Sequence, residues 1–450
     1  MAEVTVGPTA SPYPRPLYAW YVVCLLTIIY IVGYIDRYIL SLLIEPIKET
    51  LYLTDFQIGL LIGPAFVLFY VTLGVPIGWL ADRKSRRVIV TVGITLWSLM
   101  TAACGVTKSF ITLFAARIGV GIGEATIAPC SASIIGDTFP VGTRPRAMAF
   151  WISAAPLGAG STYLIGGQVV EMINAAPPLV LPLLGELYSW QTAFLVVALP
   201  GLFLAALFYI TVPEPIRRDG FGSTKFANSV SDKNPSVRDT ARYFGSRWKA
   251  YLAVCFGAWG TTLVGAASFW TPALFLRTWG WDVGTSGLAI GVVLVVNGLL
   301  VTNLSGWLAA RWTLAGVAHG PYRCVFAGGV IVLPFLTIFP LMPTPELGVL
   351  MFFLGFIGMS MTTAVTTTAI IAITPSKLRG QATALLFLVI NLFGALVGPP
   401  LVGLITDIIG DPNSLKYGWS ITCGVTSVIM SLGLWWGLKH YREEAGRHAG

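Results

Sequence analysis

The chain has 450 residues, of which 55% are hydrophobic and 11% are charged. Soluble globular domains carry about one-quarter charged residues, so this composition excludes an ordinary soluble protein. Apolar runs of about 20 residues alternate with short polar breaks, and a helix of that length crosses the hydrocarbon core of a bilayer. Strands of a membrane barrel would alternate in segments of about 10 residues, which these runs do not. The composition therefore predicts an all-α membrane protein.

In chain order, the apolar runs predict twelve transmembrane helices in two sets of six. The first set lies at 18–43, 57–80, 87–106, 110–134, 147–170 and 190–212. The second set lies at 250–276, 284–309, 324–342, 346–372, 381–408 and 418–439. The polar stretch between the sets predicts a flexible linker that includes a short surface helix. We therefore divide the chain into an N-terminal tail, a six-helix bundle, a linker, a second six-helix bundle and a C-terminal tail, at 1–17, 18–212, 213–249, 250–440 and 441–450.

The formal net charge of +8 could indicate a nucleic-acid partner, but the placement of the charges indicates membrane topology instead. Most of the 28 lysines and arginines lie in the tails, the linker and the loops on one face. The other face carries Lys48, Lys108, Arg277 and Lys416. By the positive-inside rule, both termini and the linker are cytoplasmic. We expect no nucleic-acid partner, and the short loops favour a cell inner membrane.

Metal and cofactor chemistry find no support in the sequence. The six cysteines stand singly, and none of the three histidines is spaced with a cysteine as metal ligands would be. The phosphate loop of ATPases is missing, and Gly119, Gly121 and Gly123 lie inside a predicted membrane helix rather than after a strand. The first helix is too long for the core of a signal peptide, so we expect it to be retained. The chain is thus predicted to be neither an enzyme nor ATP-driven, with no metal and no cofactor.

The two sets of helices carry an internal repeat. Gly59 and Gly63 in the second helix recur as Gly287 and Gly291 in the eighth, and the sequence Gly-Trp-Leu-Ala follows in both at 78–81 and 306–309. Arg144-x-x-Ala-x-Ala in the fifth helix recurs at Arg379 in the eleventh. Parallel six-helix repeats of this kind place a substrate site near the bilayer midplane, between the two halves.

Several motifs resemble known transporter families. The sequence Gly78-Trp-Leu-Ala-Asp82-Arg83-Lys-Ser-Arg86-Arg87 resembles the signature of the major facilitator superfamily, and Arg117 to Glu124 resembles that superfamily's motif in the fourth helix. Tyr34-Ile-Asp36-Arg37 is similar to the Spinster transporters within it. This resemblance implies two pseudo-symmetric bundles and a lipid-like, amphipathic substrate of the lysophospholipid or sphingolipid type. The fifth helix departs from the usual antiporter motif at Ala155 to Gly160, so symport and antiport both stay open.

Four ionisable residues inside the predicted helices are candidate site residues. Asp36 and Arg37 lie in the first helix, and Arg117 and Glu124 lie two turns apart in the fourth. Buried charges are costly, so they are functional candidates by default. The resemblance implies that both helices line the central cavity. We expect Asp36 or Glu124 to accept a proton with Arg117 as the switching partner, and Arg37, Arg117 and Glu124 to meet the substrate. A static ion pair that fixes helix contacts is the alternative.

The C-terminal half has no counterparts to these charges. Under the repeat, Arg117 and Glu124 correspond to Phe352 and Met359. The tenth helix instead offers threonines, among them Thr366, and the seventh offers aromatic residues, among them Trp270. This asymmetry suits a substrate with a polar head and an apolar body, so Trp270 and Thr366 are candidate substrate contacts.

The loop after the second helix predicts a gate on the cytoplasmic side. A carboxylate at a helix end beside an arginine forms a latch worth about a kcal/mol or more. We expect Asp82 to bind Arg144 or Arg146 in the outward-open state and to part from it when the protein opens inward. The predicted gate comprises Gly78, Asp82, Arg83, Arg86, Arg87, Arg144 and Arg146.

The sequence thus predicts a proton-coupled transporter that works by alternating access. Its expected partners are the lipid bilayer, protons and a small amphipathic or anionic substrate, and we expect a monomer. A carrier of a small organic anion such as a sugar acid is the alternative within transport. A membrane sensor that does not transport, or a lipid channel, is the alternative from another class.

Overall fold

The computed structural model confirms the all-α fold and its twelve membrane-crossing helices. It describes residues 13–140, 142–182, 185–217, 237–375, 378–411 and 413–448. Spans 1 to 6 are Pro16–Leu42, Asp55–Ala81, Arg86–Cys104, Phe110–Thr138, Arg144–Ala175 and Ser189–Thr211. Spans 7 to 12 are Trp248–Trp279, Val283–Leu314, Gly320–Leu341, Pro345–Ala372, Arg379–Ile409 and Ser414–Arg447.

Six of the spans are interrupted, and the pieces have their own bounds. Spans 2, 4 and 5 divide into Asp55–Ile62, Pro64–Ala81, Phe110–Glu124, Ile127–Thr138, Arg144–Ile152, Ala154–Ser161 and Gly167–Ala175. Spans 7, 8 and 11 divide into Trp248–Ala267, Thr271–Trp279, Val283–Val296, Thr302–Leu314, Arg379–Val389 and Gly398–Ile409. Wider π-helical turns lie within spans 5, 8 and 11 at Thr162–Gly166, Asn297–Val301 and Ile390–Ala395. Short 3₁₀ turns lie at Ser268–Trp270 and Phe339–Leu341.

Short elements connect the spans. Helices Ile44–Leu51 and Val237–Ser246 precede spans 2 and 7, and two-residue strands at Val180–Leu181 and Gly185–Glu186 pair antiparallel. The last helix continues to His448, so residues 441–448 of the predicted C-terminal tail extend it. Residues 1–12 of the predicted N-terminal tail and 218–236 of the predicted linker lie outside the described residues.

Local sequence explains where the helices begin and end. Thr54 and Gln57 form a capping box at the start of span 2, so each side chain accepts a backbone N–H of the other residue. Asp282 caps span 8, where its carboxylate accepts the backbone N–H of Thr285. Spans 7 and 11 end at Gly280 and Gly410, both in the left-handed conformation that favours glycine after a helix.

The bundle has two ends that differ in how its halves meet. We call the end where span 1 begins and spans 6 and 12 end the linker side, and the other end the opposite side. Near the opposite side, span 2 packs against span 11, and span 5 packs against span 8. A methyl group on Gly59 would lie 2.6 Å from the carbonyl oxygen of Pro399, and one on Gly287 would lie 2.5 Å from that of Tyr163. Glycine is therefore required for these close approaches.

The repeated glycines near the linker side have different surroundings. A methyl group on Gly78 would meet Pro129 of its own half at 3.9 Å, and one on Gly306 would meet no described atom within 4 Å. Spans 2 and 8 thus touch the other half near the opposite side and leave it toward the linker side. The two halves are closed together at the opposite side and diverge toward the linker.

Candidate functional site

A cavity of about 280 Å³ lies between the two halves. Its N-terminal wall comes from spans 1, 2 and 5 and includes Arg37, Phe66 and Tyr70. Its C-terminal wall comes from spans 7, 8, 10 and 11, and the described residues of that wall carry no charge. Within the lining, the rings of Tyr38 and Phe269 stack across the halves with centroids 4.4 Å apart. The cavity is therefore asymmetric in charge and bridged by one aromatic pair.

The structure brings Arg37 and Glu124 together in one ion pair. An Nη atom of Arg37 donates to Oε2 of Glu124 at 2.6 Å, and the two side chains are 18% and 4% exposed. The other carboxylate oxygen of Glu124 is buried without a hydrogen bond to a described residue. Arg37 lines the cavity, whereas Glu124 lies behind it. Arg37 therefore connects the cavity surface with Glu124.

Asp36 and Arg117 lie behind this pair, deeper in the N-terminal half. Asp36 accepts a hydrogen bond from the Thr101 hydroxyl, and both Asp36 and Arg117 are 1% exposed. Arg117 was predicted as the partner of the proton-accepting carboxylate, but the ion pair on Glu124 comes from Arg37. Nε and Nη1 of Arg117 make no hydrogen bond within the described chain, although its charge acts on both carboxylates. The four predicted residues thus form one cluster, with Arg37 at its cavity surface.

The uncharged wall contains the repeat counterparts of Arg117 and Glu124. Phe352 and Met359 in span 10 both line the cavity, together with Thr363. Thr366 instead donates its hydroxyl hydrogen to the carbonyl of Thr362 and is 6% exposed. Trp270 is fully buried and donates from Nε1 to the carbonyl of Pro399, which joins spans 7 and 11. In this conformation neither Trp270 nor Thr366 is among the described cavity residues.

On the linker side, the predicted gate residues are held by the first residues after span 6. Glu214 accepts hydrogen bonds from Ser85, from Nε of Arg86 at 2.9 Å and from the backbone N–H of Arg87. Partial burial opposes ionisation of Glu214, but these hydrogen bonds lower its pKa below the usual value. Arg217 donates to the backbone carbonyls of Ala81, Asp82 and Lys84 at the end of span 2. The start of the linker is thus fixed against the loop between spans 2 and 3.

The gate residues do not form the predicted latch in this conformation. The Asp82 carboxylate forms no ion pair with a described residue, and Arg144 donates to the carbonyl of Phe139. Arg86 binds Asp137 of span 4 as well as Glu214, while Arg146 is exposed. The remaining gate arginines stack on aromatic rings, Arg83 on Trp79 and Arg87 on Tyr209.

At the opposite side, four residues that were not assigned to a site connect the halves. Arg277 of span 7 donates from Nε to Glu45 at 2.8 Å, and from its two Nη atoms to the carboxylate oxygens of Asp55 at 2.8 and 3.0 Å. The two carboxylate oxygens of Asp407 accept the first two backbone N–H groups of span 2, from Asp55 at 3.0 Å and Phe56 at 2.8 Å. We call Glu45, Asp55, Arg277 and Asp407 the inter-half cluster.

The inter-half cluster makes five charge-assisted hydrogen bonds between the halves. The Asp407 carboxylate lies at the N-terminus of span 2, where the helix dipole favours a negative charge. Asp407 itself belongs to span 11, so this contact joins the two halves. Sequence reasoning did not pair these charges. One sequence feature could have indicated this cluster: one arginine and three carboxylates are expected at the same side of the membrane.

Comparisons with known proteins agree with this architecture. The family model described as "Major Facilitator Superfamily" matches residues 26–392. An "MFS-type efflux pump" of Mycolicibacterium smegmatis is 27% identical over 95% of each chain. The "Protein spinster" of Drosophila melanogaster is 25% identical, over 87% of this chain and 62% of the fly protein.

A solved structure of a bacterial homologue of the human lysosomal transporter Spinster, described as inward-facing and occupied, has the same fold. It aligns with a TM-score of 0.78 at 24% identity, over 96% of this chain and 98% of that one. The family match, the twelve spans and the two repeated halves lead to one conclusion: this chain is a multi-pass membrane transporter of the major facilitator superfamily, with homology to the Spinster proteins.

Proposed function

We propose that this transporter moves an amphipathic, lipid-like substrate of the lysophospholipid or sphingolipid type and couples that movement to protons. The observation that carries the proposal is the asymmetry of the central cavity. One wall offers the guanidinium of Arg37, and the facing wall offers Phe352, Phe356 and Met359 without a charge. A head group with a negative charge fits the first wall, and an acyl or sphingoid chain fits the second.

Proton coupling follows from the way Arg37 holds Glu124. Burial favours the neutral form of a carboxyl group, and a paired arginine favours the ionised form. If the substrate or a conformational change draws Arg37 away, the proton affinity of Glu124 changes. Asp36 and Arg117 form the rear of the same charge cluster, so a proton on Asp36 also changes the proton affinity of Glu124. The occupancy of the cavity and the protonation of the cluster are therefore linked.

Alternating access requires that each side close in turn. The inter-half cluster and the glycine contacts of spans 2 and 8 close the opposite side, while the halves diverge toward the linker. The separation of Asp82 from Arg144 and Arg146 is what the gate hypothesis expects when the linker side is open. Closure of that side would bring the gate residues together at the expense of the inter-half cluster.

The placement of basic residues supports the orientation in the membrane. The loops and linker on the linker side are rich in arginine and lysine, so we place that side and both termini in the cytoplasm. Bacterial relatives such as the efflux pump of Mycolicibacterium smegmatis favour the inner membrane of a cell. In this orientation the cavity opens toward the cytoplasm.

Proteoliposomes that contain a pH-sensitive dye test the proposed function. Lysophospholipids and small organic acids are added separately to vesicles with the native protein, Asp36→Asn or Glu124→Gln. We expect lysophospholipid alone to move protons, with loss of the signal in the carboxyl variants. A response to organic acids alone would replace the lipid substrate by a small anion. If the native protein moved lysophospholipid without moving protons, proton coupling would be contradicted. A lipid channel predicts that result.

A further inference from the structure

Three aromatic rings and one carboxylate surround the guanidinium of Arg37. Its central carbon lies 4.4 Å from the ring centroid of Phe66, 4.9 Å from that of Tyr70 and 5.0 Å from that of Tyr34. Glu124 closes the arrangement with the ion pair at 2.6 Å. We call Tyr34, Phe66, Tyr70 and Glu124 the aromatic box.

The aromatic box has the chemistry of a site for an organic cation. A cation within about 6 Å of a ring centroid is attracted by the negative face of the ring, and cages of several rings recognise quaternary ammonium groups. A carboxylate at the edge of the cage adds the opposite charge. Phe66 and Tyr70 also line the central cavity, so the box is continuous with the space proposed for the substrate. In this structure the cation in the box is Arg37 of the chain itself.

Ion pairing decides which ligand can replace Arg37 there. A simple cation would displace Arg37 and leave its charge unpaired, whereas a simple anion on Arg37 would leave Glu124 without its cation. Unpaired buried charges of either kind are costly. A zwitterion avoids both costs, because its anionic group pairs with Arg37 while its ammonium group pairs with Glu124. The balance of charge in the cluster is then unchanged.

We propose that the aromatic box is a subsite for the quaternary ammonium group of a zwitterionic amphiphile, with Arg37 turned toward the anionic group of the same ligand. This inference rests on the proposed function and narrows its substrate class to head groups of the phosphocholine type. Tyr70 and Phe66 determine specificity in this arrangement, since they contact the ammonium group and leave the phosphate to Arg37.

Calorimetric titration of the purified full-length protein in lipid nanodiscs tests the subsite. The two probes are dodecylphosphocholine and dodecyl phosphate, which share a chain and an anionic group and differ in the ammonium group. The variants are Tyr70→Leu, which removes a ring, Tyr70→Phe, which keeps it, and Phe114→Leu, a matched control in span 4 outside the described cavity residues. Size-exclusion chromatography confirms that each variant is folded.

We expect Tyr70→Leu to weaken dodecylphosphocholine about 5-fold while dodecyl phosphate changes little, since one cation–π contact is lost. Tyr70→Phe keeps the ring and should bind dodecylphosphocholine more tightly than Tyr70→Leu does, and Phe114→Leu should bind both probes like the native protein. Equal weakening of both probes by Tyr70→Leu, or no weakening of either, would overturn the subsite. If the native protein bound dodecyl phosphate and not dodecylphosphocholine, the subsite would fail and the lipid-like substrate would stand. If it bound neither probe, the proposed function would fail together with the subsite.

Discussion

Asp407→Ala isolates the contribution of the inter-half cluster to the conformational balance. The carboxylate of Asp407 accepts two backbone N–H groups of span 2 across the halves, at 3.0 and 2.8 Å. Because Asp407 is exposed, we take the lower range for such bonds, about 1 kcal/mol each. Loss of both, about 2 kcal/mol, would shift the ratio of open to closed opposite sides about 30-fold.

Asp282→Ala is the matched control for this change. Asp282 also caps a helix at the opposite side, but it accepts the N–H of Thr285 within its own half. Removal of the Asp282 cap destabilises its own helix end by about 1 kcal/mol. Only removal of the Asp407 carboxylate is expected to change the balance between the halves, because the Asp282 contact does not cross them.

Double electron–electron resonance measures the result directly. Spin labels at Tyr52→Cys and Asn413→Cys lie on exposed positions of the two halves at the opposite side, with the exposed Cys24 replaced by Ser. Asp407→Ala should broaden the distance distribution toward longer values, while Asp282→Ala keeps the native distribution. An unchanged distribution in Asp407→Ala, or an equal change in both variants, would refute the inference that this cluster holds the opposite side closed.

Three further predictions concern the charge cluster, pH and close packing. Arg37→Gln leaves Glu124 buried without its cation, so we expect a loss of about 3–5 kcal/mol in stability. Adding Glu124→Gln to the same chain should largely restore that stability. Thermal unfolding of the single and double variants checks this, and equal unfolding temperatures would contradict it. Burial raises the pKa of Glu45, and the nearby negative charge of Asp55 raises it further. The positive charges of Arg277 and Lys48 lower this pKa, but they do not outweigh burial. The closed arrangement then binds the proton of Glu45 more tightly than an exposed arrangement, so acidification should favour closure, and this contribution is lost as the pH rises through the raised pKa. The difference between native and Glu45→Gln distance distributions across pH measures the effect, and identical pH dependence would exclude it. Gly287→Ala should separate spans 5 and 8 and increase cysteine labelling at the opposite side. Gly306→Ala is the control, because a methyl group there meets no described atom within 4 Å. Equal labelling of the two variants would contradict the role of close packing.

The fold could be predicted largely from the sequence, because the length and polarity of a membrane helix are fixed by the bilayer. All twelve spans lie where the apolar runs predicted them, but several continue beyond those runs. Span 5 was predicted at 147–170 and occupies Arg144–Ala175, because helical hydrogen bonds continue into polar surroundings. The π-helical turns of spans 5, 8 and 11 were not predicted, since an added residue in a turn leaves no clear mark on hydropathy.

The candidate site could be predicted in part. Asp36, Arg37, Arg117 and Glu124 were recognisable because charges are rare inside membrane helices. Which arginine pairs with which carboxylate depends on the relative rotation of spans 1 and 4, and composition does not determine that rotation. The same reason explains Trp270, whose ring is used between spans 7 and 11 rather than at the cavity surface.

The inter-half cluster illustrates the remaining gap. Glu45, Asp55, Arg277 and Asp407 are far apart in sequence, and their pairing exists in one arrangement of two moving halves. A sequence pattern describes each helix, whereas such contacts depend on the conformational state. The repeated glycines indicate the same interface. Among the repeated positions, Gly59 and Gly287 are where the backbones of the two halves approach most closely.

The central claim, that Glu124 couples protons to substrate movement, is tested most directly by comparing exchange with accumulation. Proteoliposomes receive a fluorescent lysophospholipid that albumin can extract from the outer leaflet, with and without a pH gradient. Exchange at equal pH requires binding and the conformational change, whereas accumulation requires the proton as well. We expect Glu124→Gln to keep exchange and lose accumulation driven by the pH gradient, while the native protein shows both. Equal accumulation by the native protein and Glu124→Gln, or native transport indifferent to the gradient, would contradict the proposed mechanism.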